Sequence, residues 1–321
     1  MRSHSIFSKA GNTPVPLIVA TGPYGLVGRR LVEEIPDLVP LDVVPTPPGV
    51  AARIRPVVSL PPVDITDAAA VVHALDTVSK AAGGRTVVVI HLAALTDTKG
   101  EDPAPFENIN VRGTENVLRA ASKVGARFIH ISTDYVFAGE SRDGAFAESD
   151  RPALPPPGPY AYSKFRAENL VLDAALPGAA VARIAFPYGG LGNRPGLDEK
   201  LVRRFEAARL SKTPVELFSD QTICPSYIPD VVKGLLLLAG RLAGGEFRPR
   251  VVHLVGDPVS PLNFGREVSR RFGFDDVALK ASSVLGTPYA ANLRLSSEET
   301  RKSLGWRPTP LQEALAKVRR P

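Results

Sequence analysis

From residue 17 to about residue 186 the chain alternates between short apolar runs and longer stretches with apolar residues at helical spacing. Short apolar runs bounded by turn residues read as buried strands; the longer periodic stretches read as helices packed on them. The runs predict strands over Leu17–Ala20, Leu38–Val43, Val57–Leu60, Thr86–Leu92, Arg127–Ser132 and Ala180–Ala185. The periodic stretches predict helices over Gly25–Ile35, Asp67–Ala82, Pro105–Val124 and Tyr160–Ala174. Such alternation implies parallel strands joined by right-handed crossovers, with helices on both faces. Ligands of such sheets sit outside the carboxyl ends of the strands. Gly22, Ala93, Thr133 and Phe186 all follow predicted strand ends, so they converge on one crevice.

Beyond residue 187 the alternation weakens, and glycine and proline rise over Pro187–Pro195. Helical segments are predicted over Leu197–Arg209, Pro229–Leu242, Pro261–Phe272, Ser296–Leu304 and Pro310–Val318. This half reads as a smaller lobe closing over the crevice. The expected division is a flexible tail over 1–14, a dinucleotide-binding domain over 15–186 and a smaller substrate-binding lobe over 187–321, part of which can cross back to the sheet. Trp306 and Leu304 are expected to pack inside that lobe. No internal repeat is visible.

The first predicted strand runs into Thr21-Gly22-Pro23-Tyr24-Gly25-Leu26-Val27-Gly28. A strand, a Gly-x-x-Gly-x-x-Gly turn and a helix form the phosphate-binding turn of a dinucleotide site. Glycines let backbone approach the pyrophosphate and let helix and strand pack closely, while the helix start offers N–H groups to the phosphates. The fold class is therefore α/β, a Rossmann-type doubly wound parallel sheet. Asp42, near the end of the second strand, is placed to accept from a ribose 2′-hydroxyl, which favours NAD. Arg29, Arg30 and Arg53 could instead neutralise a 2′-phosphate, which favours NADP, so NADPH and NADH both stay open as cofactor. Asp64 could accept from the adenine amino group, with Ile65 beside it, and Asp67 reads as an N-cap. Leu92 ends the fourth predicted strand and Ala93, Ala94 and Thr96 follow it, where small residues leave room for a cofactor. Asn110 carries an amide that could bond backbone or water near the site; a local helix bond explains it equally well.

Further on come Ser132-Thr133-Asp134-Tyr135-Val136-Phe137, a proline-rich extended loop over Pro152–Pro159, and Tyr160-x-x-x-Lys164. Four-residue spacing puts Tyr160 and Lys164 on one helix face. A lysine ammonium there is expected to lower the phenol's pKa, and a tuned phenol can exchange a proton with a carbonyl oxygen. The Thr133 hydroxyl can bond the same oxygen.

Composition narrows the partners. The 321 residues carry a net charge of +6, but the basic residues are scattered. That argues against nucleic acid and fits anionic small molecules. No apolar run reaches the ~18 residues of a membrane span, and residues 1–14 have no apolar signal core. The single cysteine, Cys224, rules out an internal disulfide framework and fits a cytoplasmic setting. The histidines at 4, 73, 91, 130 and 253 show no metal-ligand spacing; His91 and His130 lie in apolar strands and read as core residues.

These motifs resemble the extended short-chain dehydrogenase/reductase superfamily, and most of all its dTDP-4-dehydrorhamnose reductase branch. The likeness spans nearly the whole chain. It rests on the glycine turn, His91-Leu92-Ala93-Ala94-x-Thr96, Asn110-Val111-x-Gly113-Thr114, Ser132–Phe137 and Tyr160-x-x-x-Lys164. In the second half, Asp220-Gln221-x-x-x-Pro225-Ser226 and Asn292-x-Arg294-Leu295 look like that branch's substrate lobe. The resemblance implies a catalytic set of Thr133, Tyr160 and Lys164, with Lys164 also holding the nicotinamide ribose. Cofactor contacts are implied along Gly22, Tyr24, Gly25, Leu26, Val27, Gly28, Asp42, Asp64, Ile65, Leu92, Ala93, Ala94, Thr96 and Asn110. The implied reaction is NAD(P)H-dependent reduction of a nucleotide-linked 4-keto-6-deoxy sugar, and a homodimer is plausible for the family. Pro23-Tyr24 inside the turn, Ser226 after Pro225, and the Leu304–Pro310 tail depart from that branch. An epimerase or dehydratase on the same scaffold is the second reading. A non-catalytic subunit resembling the methionine adenosyltransferase β subunit is the third.

Overall fold

A computed structural model describes residues 15–174, 176–190, 195–245, 247 and 249–320. The expected flexible tail over 1–14 lies outside the described residues.

Apolar runs with almost no exposed residue become strands buried on both faces: β1 (Leu17–Thr21), β3 (Val87–His91) and β5 (Ala179–Ile184), with β2 (Val39–Leu41) and β4 (Arg127–Thr133). All pair in parallel, in the order β2-β1-β3-β4-β5-β7. The last strand, β7 (Val251–His253), comes from far along the chain and joins the edge beside β5. Alternate strand residues serve opposite faces. Ile18 and Ala20 pack with helices α1 (Gly28–Glu34) and α6 (Ile228–Ala243). Leu17 and Val19 pack with α2 (Ala68–Ala81), α3 (Gly113–Lys123) and α4 (Pro159–Asp173). The Asp67 carboxylate caps α2 by accepting from the amides of Ala69 and Ala70. A π-helical segment, Glu107–Arg112, leads into α3.

The Val57–Leu60 run is not a strand. Pro56, Pro61 and Pro62 hem it in and cannot donate to a ladder. Both edges of β1 are already taken by β2 and β3. Val58 and Leu60 instead pack as coil against the α2 layer.

The later chain contains more strand than its pattern predicts. α5 (Leu197–Ser211) is followed by β6 (Val215–Phe218), which pairs in parallel with β8 (Leu279–Ser282). With α7 (Pro261–Phe272) and α9 (Leu311–Lys317) they enclose a separate apolar cluster around Phe205, Phe264 and Phe274. Helix α6, between α5 and β7 in sequence, lies on the large sheet. Trp306 and Leu304, the latter ending α8 (Glu298–Leu304), join that sheet-face layer rather than the lobe cluster. The indole N–H donates to the Asp230 carbonyl at 2.8 Å, which fixes the ring against α6.

Candidate active site

A cleft of about 960 Å³ runs along the carboxyl ends of the strands. At one end lie the glycine turn, with Gly22, Tyr24, Gly25, Leu26, Val27 and Gly28, and the acidic residues Asp42 and Asp64 beside Ile65. Leu92, Ala93, Ala94 and Thr96 line its middle, and Thr133, Tyr160 and Lys164 line the other end.

The glycine turn is held by its own backbone. Gly22 has φ +61°, and a Cβ there would lie 2.8 Å from the Ala93 backbone. A Cβ on Gly28 would lie 2.6 Å from the backbone of Pro23. Gly25 is different: its nearest neighbour would be 3.4 Å away, and it faces the cleft. Two glycines thus serve packing, and the third leaves surface for a ligand.

Thr21 fastens this turn to the next strand. Its hydroxyl lies 2.7 Å from His91 Nδ1, and the Ala93 amide donates to the same oxygen. His91 Nε2 lies 3.0 Å from the Thr114 hydroxyl, which itself donates to the Asn110 carbonyl. That pattern makes Nε2 the protonated nitrogen of a neutral ring. Burial, then the Lys164 charge, lowers the His91 pKa to about 3.

Asn110 does not line the cleft. Its side-chain oxygen accepts from the Leu95 amide at 2.7 Å, and its nitrogen donates to the Leu95 carbonyl and to Ser163 Oγ. The expected cofactor contact is replaced by a clamp that ties the loop after β3 to α4. Asp64 Oδ1 accepts from both the amide and the hydroxyl of Thr66, so its loop closes on itself at the cleft wall.

At the far end, Gly158, at φ +81°, turns the chain into α4, and Pro159 opens that helix. Tyr160 is therefore in the first turn, with Lys164 one turn below. The lysine does not reach for the phenol. Its Nζ donates to the Ile131 carbonyl at 2.6 Å and lies 3.2 Å from His130 Nε2. Burial lowers the Lys164 pKa to about 8, against the pull of Glu168. The expected lowering of Tyr160 is reversed: enclosure in the cleft, then the Asp134 charge, pushes the phenol up to about 12, while a Thr133 hydrogen bond pulls the other way. Desolvation outweighs an ammonium that is aimed elsewhere.

Thr133 donates to Asp134 Oδ1 at 2.9 Å and accepts from the Tyr135 amide. Tyr135 and Phe186 also line the cleft; Phe186 was expected at this crevice from its place past β5, while Tyr135 was given no role of its own. Their rings lie 5.9 Å apart, and Tyr135 meets Tyr160 edge-on at 6.1 Å. Phe186 has φ +42°, a left-handed conformation that a bulky residue rarely adopts and that aims the chain out of β5 into the cleft rim. Their signal was placement: one lies in the tight turn after β4, the other just past the end of β5.

Beneath Thr133, Ser132 Oγ donates to Glu168 at 2.5 Å, and Glu168 pairs with a fully buried Arg183. Arg183 Nη1 reaches His253 Nε2 at 3.0 Å, and His253 Nδ1 donates to the Ser296 carbonyl. This buried chain links β4, α4, β5 and β7 under the site.

The residues fit a dinucleotide. The cleft joins a ligand-facing glycine, a carboxylate at the second strand and a Thr–Tyr–Lys set, and no group of metal-ligating side chains occurs among the described residues. Fold and site together define a Rossmann-type protein of the short-chain dehydrogenase/reductase class.

Within that class the chain belongs to the family described as RmlD substrate binding domain, whose profile matches residues 17–320. A dTDP-4-dehydrorhamnose reductase of Mycobacterium tuberculosis is 38% identical over 210 residues, covering 64% of this chain and 65% of that protein, just under two thirds of its length. A probable low-salt glycan biosynthesis reductase of Haloferax volcanii is 34% identical over 224 residues, covering 68% of this chain and 69% of that protein. Among solved structures, the Bacillus anthracis dTDP-4-dehydrorhamnose reductase in complex with NADP has a TM-score of 0.73 at 22% identity, covering 94% of this chain and 98% of that one. That last likeness speaks to fold alone.

Proposed function

We propose that this protein is an NAD(P)H-dependent reductase of a nucleotide-linked 4-keto-6-deoxy sugar. The observation that carries the reading is a single cleft with a dinucleotide turn at one end and Thr133, Tyr160 and Lys164 at the other. The names of the relatives support the sugar class.

When bound, the dihydronicotinamide supplies a hydride to the sugar's C4 carbonyl carbon. Tyr160 gives its phenolic proton to the carbonyl oxygen as that oxygen becomes an alkoxide. Hydride and proton together convert the ketone to an alcohol. A phenol pushed up to about 12 is protonated at neutral pH, the form an acid catalyst needs. The Thr133 hydroxyl positions the same oxygen. Lys164, mostly charged below about pH 8, would hold the ribose hydroxyls of a bound cofactor and favour the electron-rich transition state. The two walls of the cleft supply orientation.

The test is oxidation of NADH or NADPH, read by absorbance, in the presence of dTDP-4-keto-6-deoxyhexose. Wild-type protein is expected to consume cofactor in proportion to sugar. Tyr160→Phe is expected to bind cofactor normally and turn over about 10²-fold more slowly, the scale of a lost acid catalyst. Wild-type turnover in Tyr160→Phe would reject the role given to Tyr160. Absence of sugar-dependent oxidation in the wild type would reject the reductase reading.

A further inference from the structure

Lys164 is a buried cation, and one of the groups that holds it is a histidine with no step of its own in the reduction. His91 on β3 and His130 on β4 stand opposite each other in the register of the two strands, so both side chains leave the same face of the sheet. Each residue is 1% exposed, and the ring centroids lie 5.6 Å apart.

An ammonium has three N–H donors and no lone pair. In Lys164 one N–H goes to the Ile131 carbonyl at 2.6 Å, and a second meets His130 Nε2 at 3.2 Å. Those are its acceptors among the described residues. Two acceptors fix a tetrahedral group, so the third N–H has one direction left. Lys164 lines the cleft although it is only 4% exposed.

Because the ammonium can only donate, His130 Nε2 must offer its lone pair, and the neutral ring carries its proton on Nδ1. That nitrogen is buried and has no hydrogen-bond partner among the described residues. His91 is the opposite case: both its nitrogens are partnered, and its proton sits on Nε2. A buried donor without an acceptor costs stability. An apolar side chain would fill the space of His130 without that cost. What the ring provides is a lone pair aimed at Lys164.

The neighbouring charges favour the same arrangement. Burial, then the Lys164 charge and then His91, hold the His130 ring well below the usual histidine range, so it stays neutral. Glu168, one turn further along α4, supports the ammonium by its charge, but its oxygens are taken by Ser132 and Arg183. Tyr160 and Asp134 line the cleft beside Lys164, and the lysine bonds neither.

We propose, on the reading that Lys164 serves a bound nicotinamide dinucleotide, that His130 is a positioning residue whose Nε2 lone pair, together with the Ile131 carbonyl, pins the Lys164 ammonium and delivers its remaining N–H into the cleft. His130 does not itself line the cleft, so it acts only through the lysine.

The experiment has two parts. In the first, free protein carrying nitrogen-labelled histidine gives proton–nitrogen correlation spectra that show which ring nitrogen holds the proton. Loss of signals in His130→Gln identifies His130. His130 is expected as the Nδ1–H form and His91 as the Nε2–H form, neither titrating between about pH 6 and 9, although a free histidine titrates near 6.5. A His130 proton on Nε2, or an imidazolium, overturns the proposal whatever the substrate. A wild-type spectrum with no untitrating Nδ1–H ring does so without any variant.

The second part is calorimetric titration of the full chain, without sugar, with whichever of NADH and NADPH binds more tightly, at several pH values. Wild-type affinity is expected to fall as Lys164 loses its proton near pH 8. His130→Leu removes the lone pair, so the ammonium gives up its proton more easily. Its fall is expected about one pH unit lower, with affinity near wild type at the acid end and severalfold weaker at pH 8. His130→Gln can place Oε1 where Nε2 lies and is expected to recover the wild-type profile. Asp134 titrates at about 7 but is common to all three proteins, so it cancels in the comparison. A loss equal at every pH, an unshifted profile in folded His130→Leu, or no recovery in folded His130→Gln overturns the proposal. A wild type that binds neither dinucleotide overturns it together with the reductase reading. The expected shifts without any sugar reduction uphold His130 and reject only the substrate.

Discussion

Asp134 has one carboxyl oxygen on the Thr133 hydroxyl and the other without a hydrogen-bond partner among the described residues. Burial pushes its pKa up to about 7. Between about pH 4 and 7 the unfolded chain ionises this group while the folded chain keeps the proton. The native state then binds more protons, so stability falls as pH rises through that window and levels off above it. Replacement by asparagine removes the titration. Asp134→Asn is therefore expected to flatten the fall, by on the order of 4 kcal/mol at most. Urea midpoints at several pH values from 4 to 8 check this; parallel curves for the two proteins would sink it. Beneath it, Glu168 neutralises the enclosed Arg183. Glu168→Gln leaves a buried guanidinium without its counter-charge and is expected to cost about 3–5 kcal/mol, read by the same denaturation. Neither effect is legible in the sequence. Ser132-Thr133-Asp134 could be matched to a motif, but the partners Glu168, Arg183 and His253 lie 36 or more positions away and meet only through the sheet.

Among the elements, the sequence showed most where periodicity was strong. The glycine turn, β1, β3, β4 and α4 stand within a few residues of their predicted places because their apolar runs are long and their caps are local. β6, β7 and β8 were hidden because they span only three or four residues each and, in β6 and β8, expose residues along the strand. Val57–Leu60 misled for the converse reason: it has the apolar pattern but no vacant sheet edge. The glycine turn also shows that one motif serves two purposes. Gly22→Ala meets backbone and an unfavourable φ, and is expected to destabilise the fold by about 1–3 kcal/mol. Gly25→Ala has room for its Cβ and is expected to stay within about 0.5 kcal/mol of wild-type stability. Its methyl group would nevertheless face a bound pyrophosphate, so dinucleotide affinity is expected to fall about tenfold. Melting curves and cofactor titrations of the pair separate the two roles; unchanged affinity in Gly25→Ala would place the pyrophosphate elsewhere.

In the whole molecule, the chain leaves the large sheet after β5, builds α5 and β6, and then returns to supply α6 and β7. It departs again for α7 and β8 before Trp306 comes back to the sheet face. The predicted division near residue 187 followed a real change in pattern, from long alternation to short, proline-interrupted segments. It allowed part of the later chain to cross back to the sheet but did not say which part, since the apolar face of α6 looks the same whichever layer receives it. Repeated crossing has a consequence for how the protein comes apart. A fragment ending at residue 187 would lack an edge strand, a covering helix and the Trp306 side chain, leaving Ile18, Ile90 and Ile129 facing water. Heating is accordingly expected to give one calorimetric peak, with van't Hoff and calorimetric enthalpies in agreement, and limited proteolysis no stable half-molecule. Two resolved peaks would show that the interleaved connections do not couple the parts. If they do couple them, a nucleotide sugar gripped by the lobe would protect the distant β1–β3 pairing from hydrogen exchange, although it touches neither strand.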